Sequence, residues 1–235
     1  MPSDDYMDRD ERDDIMDMDD ELDLVDEADG QDRDAGQEAD GEDGDTVTFA
    51  SLGLPEEILE AVTDMGFRVP TPIQAAAIPP LLELRDVVGI AQTGTGKTAA
   101  FGLPLLAIVD ADERDVQALV LAPTRELAMQ SAQAIEDFAA RTARLDVVPV
   151  YGGSPYGPQI GALKRGAQVV VGTPGRVIDL IEKGALDLSN VRMLVLDEAD
   201  EMLRMGFAED VETIASSVPD DRLTALFSAT MPAAI

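Results

Sequence analysis

From Thr46 onward the chain alternates short apolar runs with stretches in which apolar residues recur every three or four positions. The runs are DVVGIA (86–91), ALVLAP (118–123), DVVPVYG (146–152), QVVVGTP (168–174), MLVLDE (193–198) and TALFSAT (224–230). They are apolar without alternation, as expected of strands buried on both faces of a sheet. PEEILEAVTDMGF reads as a helix with Pro55 in its first turn and its stop near Gly66. TPIQAAAIPPLLE reads as a second helix, and 125–141 and 175–183 are amphipathic at helical spacing. The alternation predicts an α/β fold, a mainly parallel sheet covered by helices on both faces. No repeat is evident except the tetrapeptide Asp-Glu-Ala-Asp, which occurs at 26–29 and again at 197–200.

Residues 1–45 break the pattern. They hold 22 acidic residues against three Arg, with few apolar positions. Such a segment cannot bury enough surface to offset its chain entropy, so the reading is a disordered acidic tail, 1–45, ahead of one domain, 46–235. Ile15, Met18, Leu22 and Val25 are spaced like one face of a short helix, which leaves a partner-binding helix open as the lesser alternative.

The whole chain carries a net charge of −31 with no Cys and no His. Disulfides and thiolate zinc sites are excluded, and acid–base chemistry must use carboxylates, Lys, Tyr or water. Three Lys against 14 Arg, with abundant Asp, suggest a halophilic, salt-adapted cytoplasm, where salt would screen the self-repulsion. An acidic tail on an ordinary protein is the bland alternative. No apolar run reaches transmembrane length and no signal peptide is evident, so a soluble cytoplasmic protein with no membrane partner is expected.

The strongest chemical signal is AQTGTGKT, Ala91 to Thr98, between a predicted strand and a helical run. Gly94 and Gly96 let the backbone bend so that N–H groups of Gln92 to Gly96 face phosphate oxygens. Lys97 supplies a point charge, and the Thr98 hydroxyl can ligate Mg²⁺. The general phosphate-loop pattern has Gly where this chain has Ala91. A metal carboxylate is then expected at the end of a neighbouring strand. Asp197 and Glu198 end the apolar run RMLVL, so Asp197 can hold Mg²⁺ and Glu198 can orient and deprotonate water. The copy at 26–29 has no strand to fix it and reads as incidental.

Three further strings follow strand-like runs. Thr124 and Arg125 sit at a strand-to-helix turn, where a helix start and a guanidinium can hold phosphate. Thr173, with the amides of Gly175 and Arg176, repeats the arrangement, and Gly152-Gly153 permits close backbone approach. Each alone is a common turn. Together at one sheet edge they offer a surface for a sugar-phosphate backbone, gripped without reading sequence. No aromatic platform for stacking bases is evident.

These strings, in this order from about Phe49 to the C-terminus, resemble the first, RecA-like domain of the DEAD-box RNA helicases. GFRVPTPIQ (66–74) is similar to the family's adenine-reading element, with Phe49 as its upstream aromatic. The resemblance implies that Gln74 meets the adenine edge, that Phe67 packs near the ring, and that AQTGTGKT is the family's own phosphate loop. It implies RNA contacts from PTRELAMQ (Pro123, Thr124, Arg125), from Gly152-Gly153 and from TPGR (Thr173, Pro174, Gly175, Arg176). It assigns coupling between ATP and RNA to Ser228, Ala229 and Thr230, with Asp200. The implied activity is RNA-dependent ATP hydrolysis with Mg²⁺, coupled to local duplex opening, by a monomeric chain acting on single-stranded or duplex RNA. The family also has a second domain supplying arginine fingers. The sequence stops at Ile235, and Arg204 and Arg222 do not match that role, so little unwinding is expected of these residues alone. Two rival readings are a nucleotide or RNA-binding module without useful turnover and an unrelated phosphate-loop ATPase.

Overall fold

A computed structural model describes residues 47–142, 145–233 and 235. The expected disordered tail, its short helical face and the first Asp-Glu-Ala-Asp copy lie outside the described residues. Six strands form one sheet: β1 (Val87–Ile90), β2 (Ala118–Leu121), β3 (Val147–Val150), β4 (Val169–Gly172), β5 (Met193–Leu196) and β6 (Leu223–Ser228). Their order across the sheet is β1-β6-β5-β2-β4-β3, and every pairing is parallel. The expected fold class is borne out.

The lack of alternation in the strands now has its cause. Successive residues of β2 point to opposite faces, and both faces are covered. Ala118 and Val120 join one core with Val169, Val171, Met193, Val195, Ala225 and Phe227. Leu119 and Leu121 join the other with Val148, Val150, Val170 and Leu194. The first core is closed by α1 (Glu56–Asp64), α2 (Pro72–Leu82), α3 (Lys97–Ile108) and α4 (Arg125–Phe138). The second is closed by α6 (Pro174–Glu182), α7 (Ala199–Arg204) and α8 (Ala208–Ala215), with α5 (Tyr156–Arg165) packed at its margin.

The helix at 55–67 shortens to α1. Its acidic first turn, Glu56 and Glu57, suits the positive helix end, and Gly66 leaves it in a left-handed conformation. The stretch 125–141 becomes α4, capped where the Thr124 hydroxyl accepts from the Leu127 amide. α5, α7 and α8 were not marked by periodicity. α7 is only six residues long, and α5 carries Gly157, Pro158 and Gly161. α3 is apolar around its whole circumference, with Ala99 to Leu106 buried, so it has no polar stripe to announce it. Among the described residues no helix is long and apolar enough to cross a membrane.

Candidate functional site

Parallel pairing brings the carboxyl ends of all six strands to one edge. The strand order sorts the strings along it. β1, β6 and β5 are adjacent and lead into the phosphate loop, Ser228–Thr230 and Asp197–Asp200. β2, β4 and β3 are adjacent and lead into Pro123–Arg125, Thr173–Arg176 and Gly152-Gly153. The two groups meet where β5 pairs with β2. A cavity of about 650 Å³ at the opposite edge, walled by Leu82, Ile108, Arg192 and Arg222, takes in none of these strings. Chemistry, and not concavity, marks the site.

In the phosphate loop, Gly94 and Gly96 have φ of +82° and +86°, the left-handed region that disfavours a side chain. Gly96 is constrained twice, since a Cβ there would come within 2.3 Å of Gln74 Nε2. The Thr95 hydroxyl donates to the Gln92 carbonyl at 2.6 Å and so closes the loop on itself. Gln92, Thr93 and Gly94 are exposed, and Thr98 is half-buried in the first turn of α3. Lys97, 6% exposed, donates from Nζ to Glu198 Oε1 at 2.8 Å, and the Thr93 hydroxyl approaches the same oxygen at 3.4 Å. Glu198 caps α7 with φ +53° and ψ +51°, an unfavourable conformation for a residue with a Cβ. The expected base is therefore paired and strained.

Asp197 follows the end of β5, and its amide donates to the Leu121 carbonyl of β2 at 2.9 Å. Its Oδ1 is buried without a hydrogen-bond partner, and its Oδ2 lies 3.5 Å from the Ser131 hydroxyl of α4. Burial, and then the adjacent Glu198 charge, push this carboxyl up to about 6, against the opposing pull of Lys97. Ser131 escaped the sequence reading because a serine within a helix carries no motif.

Asp200 joins the third element. Its amide donates to the Ser228 hydroxyl at 3.1 Å, and its Oδ2 accepts from the Thr230 amide at 3.1 Å and the Thr230 hydroxyl at 2.7 Å. Burial alone would raise its pKa. The hydrogen bonds from Thr230, Ser228 and the Ala229 and Thr230 amides outweigh it, and the carboxyl is held below its ordinary value.

Other expected residues depart from the simple picture. Gln74 is buried, with Oε1 accepting from the Thr71 amide at 2.9 Å and Nε2 donating to the Gly96 carbonyl at 3.1 Å. Both ends of its amide are engaged within the chain. Phe67 stands edge-on between Phe49 and Phe138, with ring centroids 5.9 and 6.1 Å away. Phe49 is buried, so both aromatics serve the apolar core.

On the other half, Arg125, Gly152, Gly153 and Gly175 are exposed, Thr124 and Thr173 half-buried, and Pro123 and Pro174 buried. Two expectations need correction. The Arg176 amide, read as available, donates to the Thr173 carbonyl at 3.1 Å, because the first turn of α6 tightens on itself. Its guanidinium is also turned inward, 6% exposed, with Nη2 donating to the Ser154 carbonyl at 2.9 Å. Two tyrosines that the sequence reading passed over lie under the cations. Arg125 Cζ is 4.8 Å from the centre of the Tyr151 ring, and Arg176 Cζ is 4.1 Å from that of Tyr156.

Comparison with known proteins bears on this geometry. The family model for DEAD/DEAH box helicases matches residues 71–235. The chain belongs to the DEAD/DEAH box helicase family. Curated relatives in this family include the ATP-dependent RNA helicase DeaD of Haemophilus influenzae, 60% identical over 188 residues. That match takes in 80% of this chain and 31% of the relative. The protein of the same name from Mycobacterium tuberculosis is 58% identical over 189 residues, 80% of this chain and 34% of that one. The chain thus spans about a third of the length of these curated relatives. Among solved structures, a DEAD box protein from the hyperthermophile Methanococcus jannaschii superposes with a TM-score of 0.75 at 47% identity, covering 79% of this chain and 50% of that one. A hypothetical ATP-dependent RNA helicase from Sulfolobus tokodaii gives 0.71 at 43% identity, covering 77% and 53%. Membership in the DEAD/DEAH box family removes the reading of an unrelated phosphate-loop ATPase.

Proposed function

We propose that residues 46–235 are the ATP- and RNA-binding domain of an ATP-dependent RNA helicase, hydrolysing ATP and gripping an RNA backbone without reading its sequence. The observation that carries this is the convergence of Lys97, Glu198 and the buried, unpartnered oxygen of Asp197 at one end of a sheet whose other half leads into Arg125, Gly152-Gly153 and Thr173–Arg176. The names and sequence similarity of the curated relatives support it.

The residues fit Mg²⁺. A buried carboxylate oxygen without a partner is what a hard cation takes, and Thr98 offers a hydroxyl at the start of α3. When bound, Mg²⁺ would neutralise phosphate charge. Lys97 leaves Glu198 for the terminal phosphates of ATP. The freed Glu198 carboxylate then orients a water molecule and accepts its proton. Asp200, tied to Ser228 and Thr230, links the ends of β5 and β6 and so relays the state of the nucleotide side. Gln74 and the phosphate loop move together, since Gln74 holds Gly96; adenine recognition then trades one of its amide contacts for the base edge.

Nucleotide selectivity and turnover test the reading in high salt, the condition suited to the acidic composition. Tight binding of ATP over GTP, ATP turnover and salt-dependent affinity for unrelated single-stranded RNAs are expected. Equal affinity for GTP or no affinity for RNA overturns the reading.

A further inference from the structure

Arg125 begins α4 at the turn after β2, and Tyr151 follows β3 where the chain enters Gly152-Gly153. β2 and β3 are not neighbours, because β4 lies between them in the sheet. Yet the Arg125 guanidinium carbon stands 4.8 Å from the centre of the Tyr151 ring. The contact therefore spans the end of β4, where the chain turns into Thr173. Tyr151 is itself held by its backbone. Gln159 of α5, 7% exposed, accepts from the Tyr151 amide at 3.3 Å and donates to the Tyr151 carbonyl at 3.2 Å. The Gln159 side chain thus takes the place of a neighbouring strand at the free edge of the sheet, one residue beyond β3.

The chain has 48 acidic residues against 17 Lys and Arg. Arg85, Arg141, Arg192 and Arg204 are exposed, and each pairs with a carboxylate. Arg125 is exposed and adjoins Glu126, yet among the described residues it makes neither an ion pair nor a hydrogen bond. An aromatic face attracts a guanidinium without neutralising it and without using its N–H donors. It also restricts a long side chain in advance, so less freedom is lost when a ligand is gripped. We propose that Tyr151 is a positioning residue for RNA binding: its ring holds the exposed Arg125 guanidinium over the end of β4, charged and with its donors unused, for an RNA phosphate between the α4 N-terminus and Gly152-Gly153. The proposal rests on the reading of this edge as an RNA-binding surface.

The test uses the whole chain, a short oligouridylate and the variants Tyr151→Phe, Tyr151→Leu, Arg125→Gln and Arg125→Gln combined with Tyr151→Leu. Arg125→Gln is expected to weaken oligouridylate binding about tenfold. It should also flatten the dependence of log affinity on log salt by about 0.7, one phosphate contact on a single strand. Tyr151→Leu keeps an apolar body and loses the π face, and should weaken binding about fivefold. Tyr151→Phe keeps the ring and should stay within roughly twofold of the unaltered chain. In the Arg125→Gln background, Tyr151→Leu should change affinity by less than about twofold, because the group it positions is gone. An equal loss in both backgrounds overturns the proposal, since the ring would then touch RNA itself or act through packing. Unweakened binding by Tyr151→Leu, where Arg125→Gln binds weakly, overturns it as well. Proton resonances of the Arg125 δ-methylene separate this from failure of the RNA reading. Without any RNA present, the ring should displace them upfield in the unaltered chain and in Tyr151→Phe, and not in Tyr151→Leu. Undisplaced signals in the unaltered chain overturn the proposal whatever the RNA result, whereas displaced signals with unchanged affinity and salt dependence in Arg125→Gln overturn the RNA reading on which it rests.

Discussion

Lys97 and Glu198 stand 101 positions apart in sequence and form a 2.8 Å ion pair with side chains 6% and 13% exposed. The pair joins the helix after β1 to the turn after β5, two strands separated in the sheet by β6. Removing one partner leaves the other charge buried without compensation. Lys97→Ala should abolish ATP binding by isothermal titration and cost about 3 kcal/mol in urea unfolding. Adding Glu198→Gln should restore much of the stability and none of the binding. Unchanged ATP affinity in Lys97→Ala would remove the loop as the nucleotide site.

Glu198→Gln by itself keeps the shape of the side chain and deletes the base. ATP affinity should hold or tighten, because Lys97 is less firmly engaged, while turnover falls by about 10² or more. Glu27→Gln, in the other Asp-Glu-Ala-Asp copy, should change neither. Comparable slowing by the two substitutions would show that the first copy takes part in the chemistry.

Asp197 predicts a trade between stability and function. Its folded pKa, about 6, lies above the ordinary 3.8, so the folded state holds the proton more tightly than the unfolded chain. The contribution to stability is therefore greatest in acid, declines as pH rises from about 4 to about 6, and is level above that. Asp197→Asn should stabilise the chain at pH 7 by on the order of 2 kcal/mol and flatten this part of the pH profile. It should also remove the dependence of ATP affinity on Mg²⁺. In the unaltered chain that dependence should weaken as pH falls through about 6. Urea titrations at pH 5 and 7 and ATP titrations with and without Mg²⁺ measure both halves; a destabilised Asn variant contradicts the assignment of burial as the cause.

The Asp200–Thr230 contact has the opposite sign. Asp200 is held below its ordinary value, so its stabilising contribution is present above that value and is lost as pH falls through the lowered folded one. Thr230→Val deletes the 2.7 Å donor. A loss of about 1 kcal/mol at neutral pH is expected, shrinking toward acid, with ATP binding retained. Constant destabilisation from neutral to strongly acid pH would mean that packing, and not the carboxylate, is responsible.

Gly172 ends β4 where the chain turns into Thr173. A Cβ there would meet Val150 Cγ2 at 2.6 Å, Val177 Cγ2 at 2.7 Å and the Val150 carbonyl at 2.9 Å. Gly172→Ala should cost about 1–3 kcal/mol, because the obstruction includes backbone that cannot rotate away. Gly175→Ala meets nothing within 4 Å and should leave stability nearly unchanged. Equal melting temperatures for the two variants would contradict this packing.

What the sequence by itself determined is what depends on neighbours along the chain. Apolar runs without alternation specified strands with both faces covered, as in β2 and β4, because that pattern is stable only between two layers of helix; β1, at the sheet edge, departs from it and leaves Val88 and Ile90 exposed. Gly94, Gly96, Lys97 and Thr98 announced the phosphate loop through a short backbone conformation that few other residues can adopt. Its strand on one side and helix on the other are local as well. The carboxylate pair at 197–198 follows an apolar run in the sequence, and the copy at 26–27 does not. Tertiary structure alone decided which of these meet. The order β1-β6-β5-β2-β4-β3 separates the strings after β1, β5 and β6 from those after β2, β3 and β4 along one edge, and no local pattern encodes strand order. It placed Glu198 on Lys97, the Ser131 hydroxyl near Asp197, Thr230 on Asp200 and Tyr156 beneath Arg176. Serine, tyrosine and arginine are ordinary residues at those positions in the chain. Their roles come from charge, ring and carboxylate brought within a few ångströms by packing, where low exposure makes each pairing or unpaired atom count far more than it would in water.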